Sequence, residues 1–282
     1  MATPGIIQAS HISGSLDAKN IVMGVLKKQI ELSNLSELCA QTQVPELTAT
    51  IPLQTIMEGF TDLNEWEETE VKGSEFSNID FLLKKDRVKI AVSDESRFRS
   101  KAGDPLGLQK DAAGTRLASY LDAKVVTALQ TSPQTAGTLA IWSTATNNPL
   151  KDLARAVAAC KPYKADFIIM PNNVWVQFAG NDYIKNLMTG NPGNLGNALA
   201  FIPGLNLKIY VNDNVTAKSC IVGASGCPAA VLGNGPVKVR QWDSPKGGEI
   251  YQIDVFRQVK APIITNASSL NQGVYQTTGV IA

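Results

Sequence analysis

An α+β fold is predicted by three stretches of this 282-residue sequence. "VKVRQWD", the turn "SPKGG" and "EIYQIDVFRQV" read as a hairpin, because Tyr251, Ile253 and Val255 alternate with Gln252 and Asp254. "DAAGTRLASYLDAKVVTALQ", Asp111 to Gln130, sets Leu117, Leu121, Val125 and Leu129 at four-residue steps, one stripe of a helix. "NIDFLLKKDRVKIAVSDE", Asn78 to Glu95, alternates as a strand does, yet changes its apolar face halfway. Phe81 and Leu83 are apolar at odd positions and Val88, Ile90 and Val92 at even ones, with Lys84, Lys85, Asp86 and Arg87 between. Successive strand side chains point to opposite faces, so the two ends of this stretch lie in two different environments.

The remaining elements follow in chain order. Residues 1–43 are mixed, with weak helical character from Ile21 to Leu38, and read as an arm more than a core element. "VPELTATIPLQTI", Val44 to Ile56, is β-rich with Pro45 and Pro52, as expected of an edge or a strand entrance. Glu58 to Phe76 is acidic, carries Trp66 and has hairpin-turn character around Gly73. With the strand that follows, it predicts a long two-stranded excursion. "TSPQTAG" ends the long helix. Asn148, Pro149 and Asp152 then supply an N-cap type, a proline in the first turn and an early acid for a helix through "LKDLARAVAAC". "ADFIIM" is a buried-strand run, and "PNNVWVQFAGNDYIKNLM" starts a helix at Pro171. "TGNPGNLGNALAFIPG" is a loop, and "LNLKIYV", "SCIVGA" and "AAVLGN" are short strands. No fixed-period repeat is visible.

Composition bounds the function. With 44% hydrophobic and 18% charged residues the chain reads as globular, and its length suits one large domain or two small ones. A formal net charge of +1 gives no global attraction to a polyanion, so such a partner is met by a local patch or merely enclosed. Charge is nevertheless segregated: Glu58 to Glu75 holds seven acids against Lys72 alone, while Phe76 to Lys101 holds seven bases against four acids. The plain reading of such runs is a solvated face. "MATPGIIQASHISGSLDAKN" lacks the basic start and continuous apolar core of a signal peptide, so synthesis in the cytoplasm is expected and the sequons at Asn34, Asn214 and Asn266 carry no weight. Uncharged runs such as Val125 to Leu150 are interrupted by Thr, Ser, Gln, Gly and Pro, and none reads as a membrane span. Cys39, Cys160, Cys220 and Cys227 form no CxxC, and buried free thiols are expected over a Cys220/Cys227 half-site for metal or a disulfide.

Catalytic signals are weak. The single histidine, His11, lies in the arm, which leaves no ready Ser/His/Asp or Cys/His system and no His-rich metal site. Gly190, Gly193 and Gly196 match neither GxGxxG nor GxxxxGK and follow a helix instead of a strand, so they read as a flexible loop. Glu67 and Glu68 sit on an extended hairpin without an apolar pocket to shift a carboxyl pKa, which favours a solvated or partner-facing role. Trp66 on the same excursion needs something to bury against, and another chain is the natural candidate. No catalytic, cofactor or metal residues are expected.

In this order, "NEWEETEVKGSEF" into "IDFLLKKDRVKIAVSDE", a long helix, "ADFIIMPNNVWVQF", "IPGLNLKIYVNDNV" and a last hairpin with "QVKAPIIT" resemble the major capsid proteins of tailed phages with the Hong Kong 97 type capsid fold, from about residue 44 to 265. The resemblance implies an N-terminal arm at 1–43, peripheral-domain strands at 44–100 with an extended loop at about 59–81, and a spine helix at 101–136. It further implies an axial domain at 137–235 and a peripheral-domain return hairpin with the C-terminus at 236–282. On this view Val88 to Val92 belong to the packed peripheral domain and Phe81 to Leu83 to the loop that lies across a neighbouring subunit. The implied function is a shell built of pentamers and hexamers around double-stranded DNA that is bound without sequence preference, with no catalysis and no membrane partner. An encapsulin-type shell around cargo enzymes and a soluble enzyme with an acidic loop are the rival readings. Intersubunit contacts are expected at Trp66, Glu67, Glu70, Lys72 and Phe76, facing a basic docking strip of Lys84, Lys85, Arg87 and Lys89. Some relatives carry a long N-terminal scaffolding region, whereas this chain starts at a Met some 40 residues before the family-like part, so a separate scaffolding protein is expected beside a portal and decoration proteins. Some relatives also join a loop Lys to an Asn of a neighbour. Lys72 sits at the right kind of position, but the strand after "SPKGG" offers Glu249 and Gln252 and no Asn, so no isopeptide bond is expected.

Overall fold

The structure, a computed structural model, describes residues 12–13, 16–54, 76–93, 95, 105–135, 141–142, 144, 147–189, 201–202, 205–245, 247–262 and 270–281. Their elements are β1 (Ile12–Ser13), α1 (Leu16–Leu32), β2 (Cys39–Gln43), β3 (Thr48–Gln54), β4 (Phe76–Leu82), β5 (Lys84–Val92) and α2 (Pro105–Leu129). There follow β6 (Pro133–Thr135), α3 (Pro149–Ala159), β7 (Phe167–Met170), α4 (Asn172–Gly180), α5 (Asp182–Thr189), β8 (Phe201–Ile202) and β9 (Leu207–Val211). The last four strands are β10 (Ser219–Gly223), β11 (Gly226–Asp243), β12 (Glu249–Lys260) and β13 (Asn271–Thr278).

Two sheets share one long helix. The first runs β1-β11-β12-β5, with β2 also on β11, and the second runs β6-β13-β10-β7-β9-β8. The predicted stripe of α2 is buried throughout: Leu117, Leu121, Val125 and Leu129 are all 3% exposed or less. Leu117 joins Val88, Ile90, Val237 and Ile253 of the first sheet, while Leu121, Val125 and Leu129 join Phe167, Ile169, Ile221 and Val274 of the second. The far face of the second sheet, with Ile168, Met170, Cys220 and Val222, packs on α3, α4 and α5. Hence β7 is buried along its whole length, as the uninterrupted "FIIM" requires of a strand covered on both sides.

Local signals read from the sequence are made good atom by atom at α3. Asn148 caps it, its Oδ1 accepting from the Leu150 N–H at 3.0 Å, with Pro149 in the first turn. Asp152 does more than favour the helix N-terminus: it is buried and accepts a bond from Trp142 Nε1 at 3.1 Å. The single helix expected from Pro171 is two, because Asn181 breaks it and turns inward, its Nδ2 donating to the Trp142 and Asn147 carbonyls and its Oδ1 accepting from the Tyr183 N–H.

Several expectations are corrected. An arm does not describe all of residues 1–43: α1 places Ala18, Ile21, Val22, Val25 and Leu26 in the same core as Leu117 and Ile253. Ser33 at its end donates to Asp122 Oδ1 of α2 at 2.7 Å, and burial raises the Asp122 pKa. The weak periodicity hid a helix that is stable because its face is covered, not because its sequence is strongly helical. The long helix starts at Pro105, earlier than Asp111. "AAVLGN" and "VKVRQWD" are one strand, β11, with a register shift between Asn234 and Val237, so a boundary at 235/236 falls inside a continuous element. The C-terminus does not stay with the last hairpin, since β13 pairs with β10 and β6 in the second sheet. Cys39, Cys160 and Cys220 are buried free thiols, but Cys227 is exposed.

The change of face in Asn78 to Glu95 has a definite cause. Leu83 separates β4, which pairs only with β3, from β5, which pairs with β12. Val88, Ile90 and Val92 face α1 and α2, whereas Phe81 and Leu83 pack with Val44, Ile79 and Val231 in a small core of their own. Gly233 and Gly235 make room for them: a Cβ at Gly233 would lie 2.8 Å from Phe81 Cδ1, and one at Gly235 2.3 Å from Leu83 Cδ1. Phe81 (2% exposed) and Leu83 (6%) are thus buried by their own chain, not reserved for a neighbour. Phe81→Ala is expected to destabilise the isolated subunit by about 3 to 5 kcal/mol, measured by denaturant unfolding, which a loop residue waiting for another subunit would not do.

Candidate assembly surfaces

Of the residues expected to touch other subunits, Trp66, Glu67, Glu70 and Lys72 lie outside the described residues, and Phe76 opens β4. What is described is the base of the excursion, the β3–β4 ribbon. Its seven rungs run from Thr48↔Leu82 to Gln54↔Phe76, and Thr50 Oγ1 donates to Asp80 Oδ1 across it at 2.6 Å. Besides Phe81 and Leu83, the ribbon is tied to the first sheet by the Leu82 N–H, which donates to Gln258 Oε1 at 2.7 Å.

The proposed docking strip divides between two faces. Lys84 is paired with Arg257 on the helix side. There Arg257, 1% exposed, donates from Nε to Asp86 Oδ2 at 2.7 Å and from Nη2 to the Leu117 carbonyl at 2.6 Å. Lys124 of α2 donates to both Asp86 oxygens at 2.7 and 2.8 Å. Burial lowers the pKa of both Arg257 and Lys124, and the shared Asp86 carboxylate opposes that shift in each. This cluster holds β5, β12 and α2 together, and it belongs to the subunit's interior.

Lys85, Arg87 and Lys89 lie on the opposite face, away from the helices. Register sets what stands beside them. Arg87 and Lys238 are both paired with Asp254, and Lys89 and Arg240 are both paired with Gln252. Arg87 is already engaged, through Nε to Asp254 Oδ1 at 2.6 Å and Nη2 to Oδ2 at 3.0 Å, and this fork holds the Asp254 carboxyl below its ordinary range. Lys89 Nζ stands 5.9 Å from the Trp242 ring centroid and Lys238 Nζ 5.6 Å from that of Phe256. Lys238 and Arg240 were missed in the sequence. Counting outward from the "SPKGG" turn would have found them, since hairpin register puts each opposite a residue that β5 also faces.

Among the described residues no group of three or more His, Cys, Asp and Glu could hold a metal ion, and no helix is long and apolar enough to cross a membrane. Surface features among the described residues are a self-paired ribbon and a basic sheet face.

Comparison with known proteins then decides the family. The model of the family described as "Phage capsid protein" matches residues 83–267, more than half of the chain. The chain belongs to this phage capsid protein family. Its fold is that of the Hong Kong 97 type capsid proteins, which the solved structures bear out. A virus-like particle from Pyrococcus furiosus is similar with a TM-score of 0.63 at 11% identity, over 93% of this chain and 100% of that one. The capsid of a native GTA particle gives 0.64 at 12% identity, over 87% and 89%. Mycobacterium phage Cain gives 0.59 at 15%, over 87% and 90%. No curated protein matches the chain. The family implies a structural role in a shell of many copies and a place in the virion capsid.

Asp254 supplies a pH signature. Its folded pKa is depressed below the ordinary 3.8, so the stability it contributes is fully present above that value and is lost as pH falls through the folded pKa. Between about pH 5 and about pH 2 the wild-type melting temperature is therefore expected to fall more steeply than that of Asp254→Asn, as followed by circular dichroism. Parallel curves would remove the pair from the acid response.

Proposed function

We propose that this chain assembles as pentamers and hexamers into an icosahedral shell around double-stranded DNA, in the host cytoplasm, without a catalytic step of its own. The observation that carries this reading is the β3–β4 ribbon, which among the described residues pairs with no third strand and packs on its own body through Phe81, Leu83 and Ile79 and the Leu82 N–H. A two-stranded ribbon alone is marginal in water, so the part beyond the base gains stability when another subunit covers it. The first sheet with α1 and α2 corresponds in this reading to the peripheral domain, and the second sheet with α3 to α5 to the axial domain. Spread over several neighbours, such contacts reach on the order of 2,000 Å² or more per subunit. DNA is enclosed without sequence readout, in keeping with the net charge of +1. A scaffolding protein, a portal and decoration proteins are the further partners, and Trp66, Glu67, Glu70, Lys72 and Phe76 the expected contact residues.

The likeness to the Pyrococcus furiosus virus-like particle, which spans all of that chain, keeps a cargo-enclosing shell as the second reading. Nuclease-protected double-stranded DNA in natively assembled particles favours the first, and a protein cargo the second. Negative-stain microscopy of the chain expressed alone is expected to reveal closed hollow shells, and Trp66→Ala to lower their yield while the subunit stays folded. An aromatic anchor at an interface is worth on the order of 2 to 4 kcal/mol at each contact. A small monodisperse species instead of shells would overturn the assembly reading.

A further inference from the structure

We propose that the outer face of α3 and the turn after it bind the phosphate backbone of duplex DNA without reading its sequence. The inference rests on the reading of a shell around DNA and names the surface of the subunit that meets it. Residues 149–165 hold four bases, Lys151, Arg155, Lys161 and Lys164, and one acid, Asp152, so four less one leaves plus three. The acid does not reach the surface: α3 buries Asp152 with Leu153 and Ala156, it is 5% exposed, and its Oδ2 accepts from Trp142 Nε1. At 3.6 residues per turn, Lys151, Arg155 and Ala158 fall within about 60° of one another, opposite Leu153 and Ala156. All three are exposed, and Lys161 and Lys164 continue the exposed run past the helix end. Arg155 Nη1 keeps a contact of 3.9 Å with Asp152 Oδ1 while remaining 62% exposed. Among the described residues no ion pair engages Lys151, Lys161 or Lys164. The next acid in the chain, Asp166, is taken up by the Ser225 N–H and hydroxyl.

Nucleic acid is the partner because of what accompanies the bases. Contacts between proteins centre on aromatic and apolar anchors and are poor in lysine. Three of the four bases here are lysines, and no large apolar side chain is exposed between 149 and 165. The other basic surfaces differ in this respect. The face of the first sheet sets Trp242 and Asp254 beside its bases, and α1 and α2 set Lys19, Lys27 and Lys110 among Glu31, Asp111 and the exposed Ile30 and Leu108. A phosphate backbone asks only for cations along its path, and contacts to it carry no sequence information. The dimensions suit it. Lys151 to Cys160 is nine helical steps, about 14 Å, the axial span of about four phosphates of one strand. Between the bases stand Ala154 and Ala158, too short to hold a duplex away from the longer lysine and arginine side chains.

The test is duplex binding by the unassembled full chain over a range of salt concentrations, with shell yield measured alongside. Lys151→Gln, Lys161→Gln and Lys164→Gln together are expected to make the slope of log affinity against log salt shallower by about 2.7, since each phosphate contact contributes about 0.9. Two duplexes of unrelated sequence are expected to respond alike, with subunit melting and shell yield unchanged. Removing three charges from α1 and α2 instead, by Lys19→Gln, Lys27→Gln and Lys110→Gln, is expected to change the slope by less than about 1. Equal losses from the two triple variants would reduce the effect to net charge and overturn the inference. An unchanged slope would overturn it too, as would lost shells with duplex binding intact, which would give the strip to a neighbouring copy. Particles that enclose protein and no DNA, with the slope change as expected, would overturn the DNA-filled shell and leave the binding face standing.

Discussion

One helix shared by two sheets is the constraint on which the rest of this subunit depends. Leu117 packs under β5, β11 and β12, and one turn later Leu121 begins a stripe that packs under β7, β10 and β13. Among the described residues, α1 and the segment around Leu35 and Leu38 are what else packs beside α2 on these sheets, so removing α2 would uncover both at once. A rigid rod with sheets on successive turns fixes their relative placement to within the packing of a few side chains. That is what a shell subunit needs, because an angular error at one subunit would be repeated at every copy.

Charge is sorted by face in a way that serves this frame. On the helix side Asp86 sits between Lys124 and Arg257, and burial makes each of the three costly to leave alone. Their mutual bonds pin β5 and β12 to α2 at a place where apolar packing alone would allow sliding. On the other side the bases stand on the face turned away from α1 and α2. Arg87 and Asp254 form one pair there, and its energetic value is modest because the arginine is solvated. The same strand, β5, thus contributes an interior anchor through Asp86 and an exterior surface through its neighbours on either side.

The ribbon stands apart from both. Its base is fixed by Phe81 and Leu83 over Gly233 and Gly235, where the lack of a Cβ lets the rings and methyls lie on the backbone of β11. The excursion is therefore launched from a well-packed foot, on the face that carries the bases. Foot and basic face lie on one side of the first sheet, α1 and α2 on the other, and the subunit is two-sided even before it meets a neighbour.

The sequence by itself determined what depends on neighbours along the chain: the stripe of α2, the cap at Asn148, the alternation of β12, the all-apolar β7 and the phase change around Leu83. Order and spacing of these segments were enough to name the fold, and charge counting marked the acidic and basic segments. Tertiary structure decided everything that depends on what covers a segment. α1 reads weakly because its helix is held by a covered face and by Ser33 on Asp122. β13 reads as a tail because its pairing partners, β6 and β10, lie far off in the chain. Phe81 and Leu83 could be assigned to the wrong environment because periodicity tells that a side chain is buried, not by whom. Lys84 fell out of the basic strip and Lys238 and Arg240 entered it because strand register, a long-range property, sorts side chains to faces in steps of two residues.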